Sequence, residues 1–214
     1  FHAVKPFPGA NIEQSAIDFT GINPDDPNRN AISEAEALSD IFSHIKKAVK
    51  QHDCTRAIMV AHNARFDRAM LEAEGVQIKR CICTYRVAYA LDTEDTIPEY
   101  NLQYLRYYLK LAVEGRAHDA EGDVNVLYAL FHHLLGDFMR LRDCTEEAAI
   151  AEMEKITTTP LLLRKFNFGK YRGRSISEIA ATDRGYLQWL LGQKLDSGEN
   201  DENWIYTLRH YLGH

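Results

Sequence analysis

No stretch of the 214-residue chain approaches the roughly 20 uninterrupted apolar residues that a membrane helix needs, so no spanning helix and no membrane partner is expected. The opening Phe-His-Ala-Val-Lys lacks the basic-then-apolar design of a secretory signal, and a soluble cytoplasmic protein is the expectation. Cysteine is scarce. Cys54, Cys81, Cys83 and Cys144 show no Cys-x-x-Cys pair, which argues against a structural zinc site, and they are too few for a disulfide framework. Reduced, mostly buried thiols are expected. An initiator methionine is also missing, and Phe1-His2-Ala3-Val4 reads as the middle of a strand with nothing before it. No internal repeat or low-complexity tract occurs.

What is present is ordinary globular material, 45% hydrophobic and 26% charged, enough for one medium domain and a small one. A net charge of −6 argues against coating nucleic acid by electrostatics alone. The charge is uneven, however. Residues 1–159 hold 17 Lys+Arg against 25 Asp+Glu, and residues 160–214 hold 8 against 6. Arg164, Lys165, Lys170, Arg172 and Arg174 share one window without an acid among them. An acidic body with a basic appendage suits a nuclease, and a solvated loop has the same composition.

Pro6-Phe7-Pro8-Gly9-Ala10-Asn11 and Gly21-Ile22-Asn23-Pro24-Asp25-Asp26-Pro27-Asn28 are turn chemistry on either side of a short helix at 12–19. Ser33 and Glu36 form a capping-box pattern, and Ala37, Leu38, Ile41, Ile45 and Val49 recur at helical spacing, predicting a helix over 34–51. The apolar run 57–61 reads as a central strand buried on both faces. Asn63 can cap a helix that stops at Gly75, and 81–84 suggests another strand. Helices are expected near 84–91, 101–111, 119–141 and 145–155 before Pro160 breaks the pattern. Strands followed by helices indicate an α/β domain.

Chemistry enters at two places. In His62-Asn63-Ala64-Arg65-Phe66-Asp67, Asp67 falls in the first turn of a helix after a buried strand, on one face with Met70 and Leu71. A carboxylate pointing to an apolar side needs a partner. It could be a metal ligand, or an acid favoured by the helix dipole. In Ala117-His118-Asp119-Ala120-Glu121-Gly122-Asp123, the last aspartate lines up with Leu127, Leu130 and Leu134, while Val124, Leu127, Phe131, Leu134 and Phe138 form a core stripe. Burying Asp123 there without a cation would be costly. His118 could swing over the helix start, and Asp119 is the natural cap. Two carboxylates and a histidine are the kit for metal-assisted phosphodiester hydrolysis, with oxygen ligands suiting Mg²⁺ or Mn²⁺ and the imidazole taking a proton from water.

These residues resemble the DEDDh 3′-to-5′ exonuclease family of the ribonuclease H-like fold. Residues 1–67, with Pro-Phe-Pro-Gly-Ala-Asn and Arg-Ala-Ile-Met-Val-Ala-His-Asn-Ala-Arg-Phe-Asp, look most like the ribonuclease T branch. Phe166-Asn167-Phe168-Gly169-Lys170-Tyr171-Arg172-Gly173 and Asp183-Arg184-Gly185-Tyr186-Leu187-Gln188-Trp189-Leu190 resemble the C-terminal region of the exodeoxyribonuclease X branch. The resemblance implies that His118 is the general base, that Asp67 and Asp123 are metal ligands, and that the complete enzyme holds two Mg²⁺ or Mn²⁺ ions. It also implies an Asp-x-Glu on a first strand upstream of Phe1; Asp92-Thr93-Glu94 has the letters but the wrong position and reads as a solvated loop. The expected fold is therefore an α/β, ribonuclease H-like exonuclease domain with an N-terminally truncated sheet and a small α+β C-terminal domain. Its units would be 1–142 for the exonuclease domain, 143–159 for a helical linker and 160–214 for the C-terminal module.

In the tail, Gly169 and Gly173 bracket Lys170, Tyr171 and Arg172, a tight turn offering cations around an aromatic ring. Lys170, Tyr171, Arg172 and Arg174 are the candidate nucleic-acid contacts, against a plain hairpin turn. Ser175 could cap a helix, and both tryptophans are expected to be structural. The expected activity is hydrolysis of terminal phosphodiesters to nucleoside 5′-monophosphates at single-stranded DNA or RNA 3′ ends, with homodimer formation left open. The competing class is a catalytically inactive nucleic-acid binder of the same fold, and an upstream Asp-x-Glu separates the two.

Overall fold

The computed structural model describes residues 3–6, 9–51, 57–113, 120–196 and 201–213. Helix α1 spans Gln14–Thr20, followed by a 3₁₀ turn at Pro27–Arg29 and helix α2 at Glu34–Gln51. The capping box closes α2: Ser33 N and Oγ donate to Glu36 Oε2 at 2.8 and 2.7 Å, and Glu36 N donates to Ser33 Oγ. Strand β1 is Met59–Ala61, α3 is Arg65–Ala73, β2 is Cys81–Cys83 and α4 is Thr84–Leu91. Helices α5 (Leu102–Tyr108), α6 (Ala120–Arg142) and α7 (Glu146–Thr158) complete the larger unit. Helices α8 (Ile176–Thr182), α9 (Arg184–Asp196) and α10 (Glu202–Leu212) form the smaller one. No described helix is long and apolar enough to cross a membrane.

The α/β class holds, with a small parallel sheet among many helices. Strands β1 and β2 pair with Val60 opposite Ile82, and among the described residues β1 has a partner on one edge only. The expected central strand is therefore only half-buried at Met59 and Val60. The free edge of β2 is met by α7, where Cys83 N donates to Thr157 Oγ1 at 2.8 Å. Arg80 grips Glu154 of α7 with two bonds of 2.8 and 2.6 Å. The main core gathers Ile82, Val87, Leu105, Leu130 and Phe138 with Ala149 and Met153 of α7, so part of residues 143–159 is packed into it. Val124, expected in the α6 stripe, is 51% exposed, and Val126 is buried in its place.

Two predicted amphipathic helices form without burying their apolar faces. Ile41 and Ile45 of α2 and Phe66 and Met70 of α3 are all exposed, and none of α3's residues is buried. Periodicity correctly predicts a helix, but it does not name what covers the face. Nor does Asn63 cap α3: it takes a left-handed φ of 62°, and the residue at the cap is Ala64. The turn out of β1 is closed by Phe66 N donating to Asn63 O at 3.1 Å.

A second core of Phe166, Ile176, Ile179, Leu187, Leu190, Trp204, Leu208 and Leu212 lies in the C-terminal module. It docks on α4 and the loop after it. Arg86 pairs with Glu202 of α10 and donates to Thr159 O. Arg164 lies 4.1 Å from the Tyr89 ring centroid, and Lys165 Nζ reaches Asp95 Oδ2 at 2.5 Å. The loop 92–100 is thus not merely solvated. Asp92 is 9% exposed and accepts from Thr96 N, Thr96 Oγ1, Ile97 N and Tyr100 Oη at 2.7–2.9 Å.

Burial pushes the Asp92 carboxyl up, but its four donors outweigh burial and hold it at about 2 against an ordinary 3.8. A depressed folded value gives stability that is present above the unfolded value and lost as pH falls through about 4 toward about 2. The shift corresponds to on the order of 2 kcal/mol. Asp92→Asn is expected to lose about that much at neutral pH and to show a shallower acid limb, read from urea midpoints between pH 2 and 7. Equal midpoints at pH 7 would refute this role.

Candidate active site

Asp67 sits in the first turn of α3, where an acid is favoured by the exposed N–H groups of the helix start. It is exposed, and so is Met70, so the carboxylate does not face the buried apolar side that the sequence suggested. Just upstream, His62 is half-buried and locked at both nitrogens. Nε2 lies 2.6 Å from Tyr100 O and Nδ1 lies 2.9 Å from Thr84 Oγ1. Since a carbonyl only accepts, Nε2 carries a proton. Burial pushes the imidazole pKa down, against the Tyr100 carbonyl and the Asp67 carboxylate, which both favour the proton.

Asp123 lies in the first turn of α6, half-buried, with Gly122 and Val126 buried beside it. Its Oδ1 accepts from Gln103 Nε2 of α5 at 2.5 Å. Gln103 escaped the sequence reading, because nothing in a single glutamine announces a partner 20 residues away. An amide supplies that donor without bringing a positive charge. The other amide atom, Gln103 Oε1, is buried with no hydrogen-bond partner among the described residues, an arrangement that costs free energy. It therefore marks a place where one more donor would be welcome.

The turn before α3 and the first turn of α6 are both bonded to the segment around the start of α5. Tyr100 O holds His62 in the turn before α3, and three residues later Gln103 holds Asp123. Among the described residues, no group of three or more His, Cys, Asp or Glu gathers as a metal site. His118 and Asp119 lie outside the described residues. The donors at hand, carboxylate oxygens from separate helices, fit a hard cation that keeps several waters and needs few protein ligands.

The tail candidates lie on a hairpin, with Lys165 and Ser175 bridged antiparallel and Phe166 N donating to Arg174 O at 3.0 Å. Most of its cations are already paired with acids from outside the window. Lys170 Nζ lies 3.1 Å from Asp183 Oδ2, Arg174 pairs with Glu178, and Tyr171 Oη donates to Asp183 at 2.6 Å. Arg172 is exposed and has no acidic partner among the described residues. Ser175 makes no capping bond to α8.

The family described as Exonuclease matches residues 2–131, more than half of the chain, and the one described as Exodeoxyribonuclease X-like C-terminal matches residues 166–194. Ribonuclease T of Marinobacter nauticus is 57% identical over 79 residues, covering 36% of this chain and 36% of that protein. Ribonuclease T of Escherichia coli strain K12 is 52% identical over 82 residues, covering 37% of this chain and 38% of that protein. The matched stretch thus spans little more than a third of these relatives' length. A solved structure of exonuclease X in complex with 5′ overhanging duplex DNA aligns over 73% of this chain and 79% of that one, at 24% identity and a TM-score of 0.48. By the extent of the family match, the chain belongs to the Exonuclease family of the ribonuclease T type and carries an exodeoxyribonuclease X-like C-terminal region.

Proposed function

We propose that the protein is a divalent-metal-dependent 3′-to-5′ exonuclease that releases nucleoside 5′-monophosphates from single-stranded DNA or RNA ends. The observation that carries the reading is Asp123: a half-buried carboxylate at the head of α6, fixed by a neutral amide rather than by a cation, in a His-x-x-x-x-Asp spacing within the matched region. Asp67 and Asp123 would hold Mg²⁺ or Mn²⁺, which when bound stabilise the attacking and leaving oxygens of the phosphodiester. His118 accepts the proton of the attacking water. In this reading residues 1–142 form the catalytic unit, 143–159 the link and 160–214 the module that adds substrate affinity through Lys170, Tyr171, Arg172 and Arg174. Arg172 can meet a phosphate at once, whereas Lys170 and Arg174 must exchange an acid for it.

The test is incubation of the full-length gene product with a 5′-labelled oligonucleotide and Mg²⁺ or Mn²⁺. A ladder shortening by one nucleotide at a time, abolished by chelator, is expected. Oligonucleotide binding without any metal-dependent release would instead leave a nucleic-acid binder.

Metal binding is testable on the chain itself. Calorimetric Mn²⁺ titration is expected to show weaker binding for Asp67→Asn and for Asp123→Asn than for the parent, and equal affinity in all three would remove the shared site. Gln103→Leu, which leaves Asp123 without its donor, is expected to weaken Mn²⁺ binding about 10- to 100-fold, as loss of an outer partner does elsewhere. If Gln103→Leu lowers thermal stability alone and leaves the titration unchanged, the amide supports the fold and not the ion.

A further inference from the structure

The two tryptophans of the C-terminal module are placed oppositely. Trp204 is 5% exposed in the core, whereas Trp189 is 55% exposed on α9. The core around Phe166 therefore closes without Trp189, and packing does not account for an indole left in water. Trp189 is not solitary. Tyr186, one turn earlier, has its ring centroid 5.4 Å away with the planes 34° apart.

The hairpin turn is built against this pair. Lys170 Nζ lies 4.8 Å from the Tyr186 centroid and 4.6 Å from that of Tyr171, both within cation–π range. The turn can come so near because Gly169 takes φ +67°, and a Cβ there would sit 3.0 Å from Tyr186 Oη. Asp183 locks the two pieces together: Oδ2 accepts from Tyr171 Oη and Lys170 Nζ, and Oδ1 accepts from Tyr186 N at 3.1 Å. One surface results, running from Lys170 of the turn through Tyr186 to the open face of Trp189, with Arg172 exposed in the same turn.

We propose that the Tyr186–Trp189 pair is a stacking ledge for an unpaired base of single-stranded nucleic acid, with Lys170 and Arg172 against the adjoining phosphates. The inference rests on the nucleic-acid role of the tail given above and adds to it the residues that would bind the base. The two rings already touch, so the base lies on the outer face of Trp189 and extends the stack. Every base offers a π-face, so the ledge accepts any sequence. The adjacent cations match a polyanion.

Fluorescence anisotropy with a labelled oligothymidylate, in EDTA to prevent hydrolysis and over a salt series, tests the ledge. Trp189→Ala is expected to weaken single-strand binding about 5- to 100-fold, the range of losing one base–aromatic stack. Its log–log salt slope should equal the parent's, since no charge is removed. Trp189→Phe should retain most of the affinity. The Lys170, Arg172 and Arg174 triple alanine variant should instead flatten the slope by roughly 0.7 for each phosphate that it no longer neutralises. If Trp189→Ala binds like the parent while the triple variant is impaired, the ledge is overturned and the tail reading stands. If neither differs from the parent, both are overturned. If Trp189→Ala loses as much affinity for a blunt duplex as for the single strand, stacking on an unpaired base is overturned.

Discussion

Replacing His118 by alanine in the full-length gene product is expected to lower turnover by about 10²- to 10⁴-fold, the usual loss when a general base is removed. The reason is the division of labour in the proposed site. In that proposal Asp67 and Asp123 would hold the cations. Abstracting a proton from water would fall to the His118 imidazole. His118→Ala should therefore leave Mn²⁺ affinity and oligonucleotide affinity close to the parent's and flatten the acid limb of the rate profile. Asp67→Ala and Asp123→Ala should show a different signature, with a raised metal requirement that added Mn²⁺ partly restores. Steady-state rates across pH 5 to 9, at several metal concentrations, separate the two signatures. A His118→Ala enzyme with full turnover over that range would remove His118 from the chemistry.

Phe166→Ala should unfold the C-terminal module selectively. Phe166 is 1% exposed and stacks on Trp204 at 5.4 Å with planes 29° apart, at the centre of an eight-residue core. Removing it costs about 3–5 kcal/mol through lost transfer energy and the cavity left behind. So small a core has little stability to spare. The main core shares none of these residues and should persist. A red shift of Trp204 emission, with faster amide exchange in α8–α10 and unchanged exchange in α6, is the expected result. A loss of under about 1 kcal/mol would mean that the cavity collapses or that docking on α4 sustains the module.

Much of the secondary structure was legible in the residues because it rests on local rules. The Ser33–Glu36 box, the 3.6-residue recurrence in 34–51, the Thr84–Leu91 helix and the long helix to Arg142 follow from neighbours within one or two turns, and the structure has each of them. The same holds for the turn glycines at 75 and 169, whose positive φ angles only need a residue without Cβ. The residues around Asp67 and Asp123 likewise mark them as candidates from the sequence alone.

What the sequence could not supply is the identity of partners distant along the chain. That Asp123 is held by Gln103, that His62 is locked between Tyr100 and Thr84, and that Asp92 organises a loop where the tail docks are facts of packing. The basic window of the tail reads as free charge because its acids, Asp95, Glu178 and Asp183, stand outside it. Trp189 and Trp204 are the same letter, and only the closure of the Phe166 core buries one and leaves the other in water. Helix and turn formation depend on contacts a few residues apart, which the sequence determines by itself; charge pairing and burial depend on which surfaces meet, and that is decided by the tertiary structure.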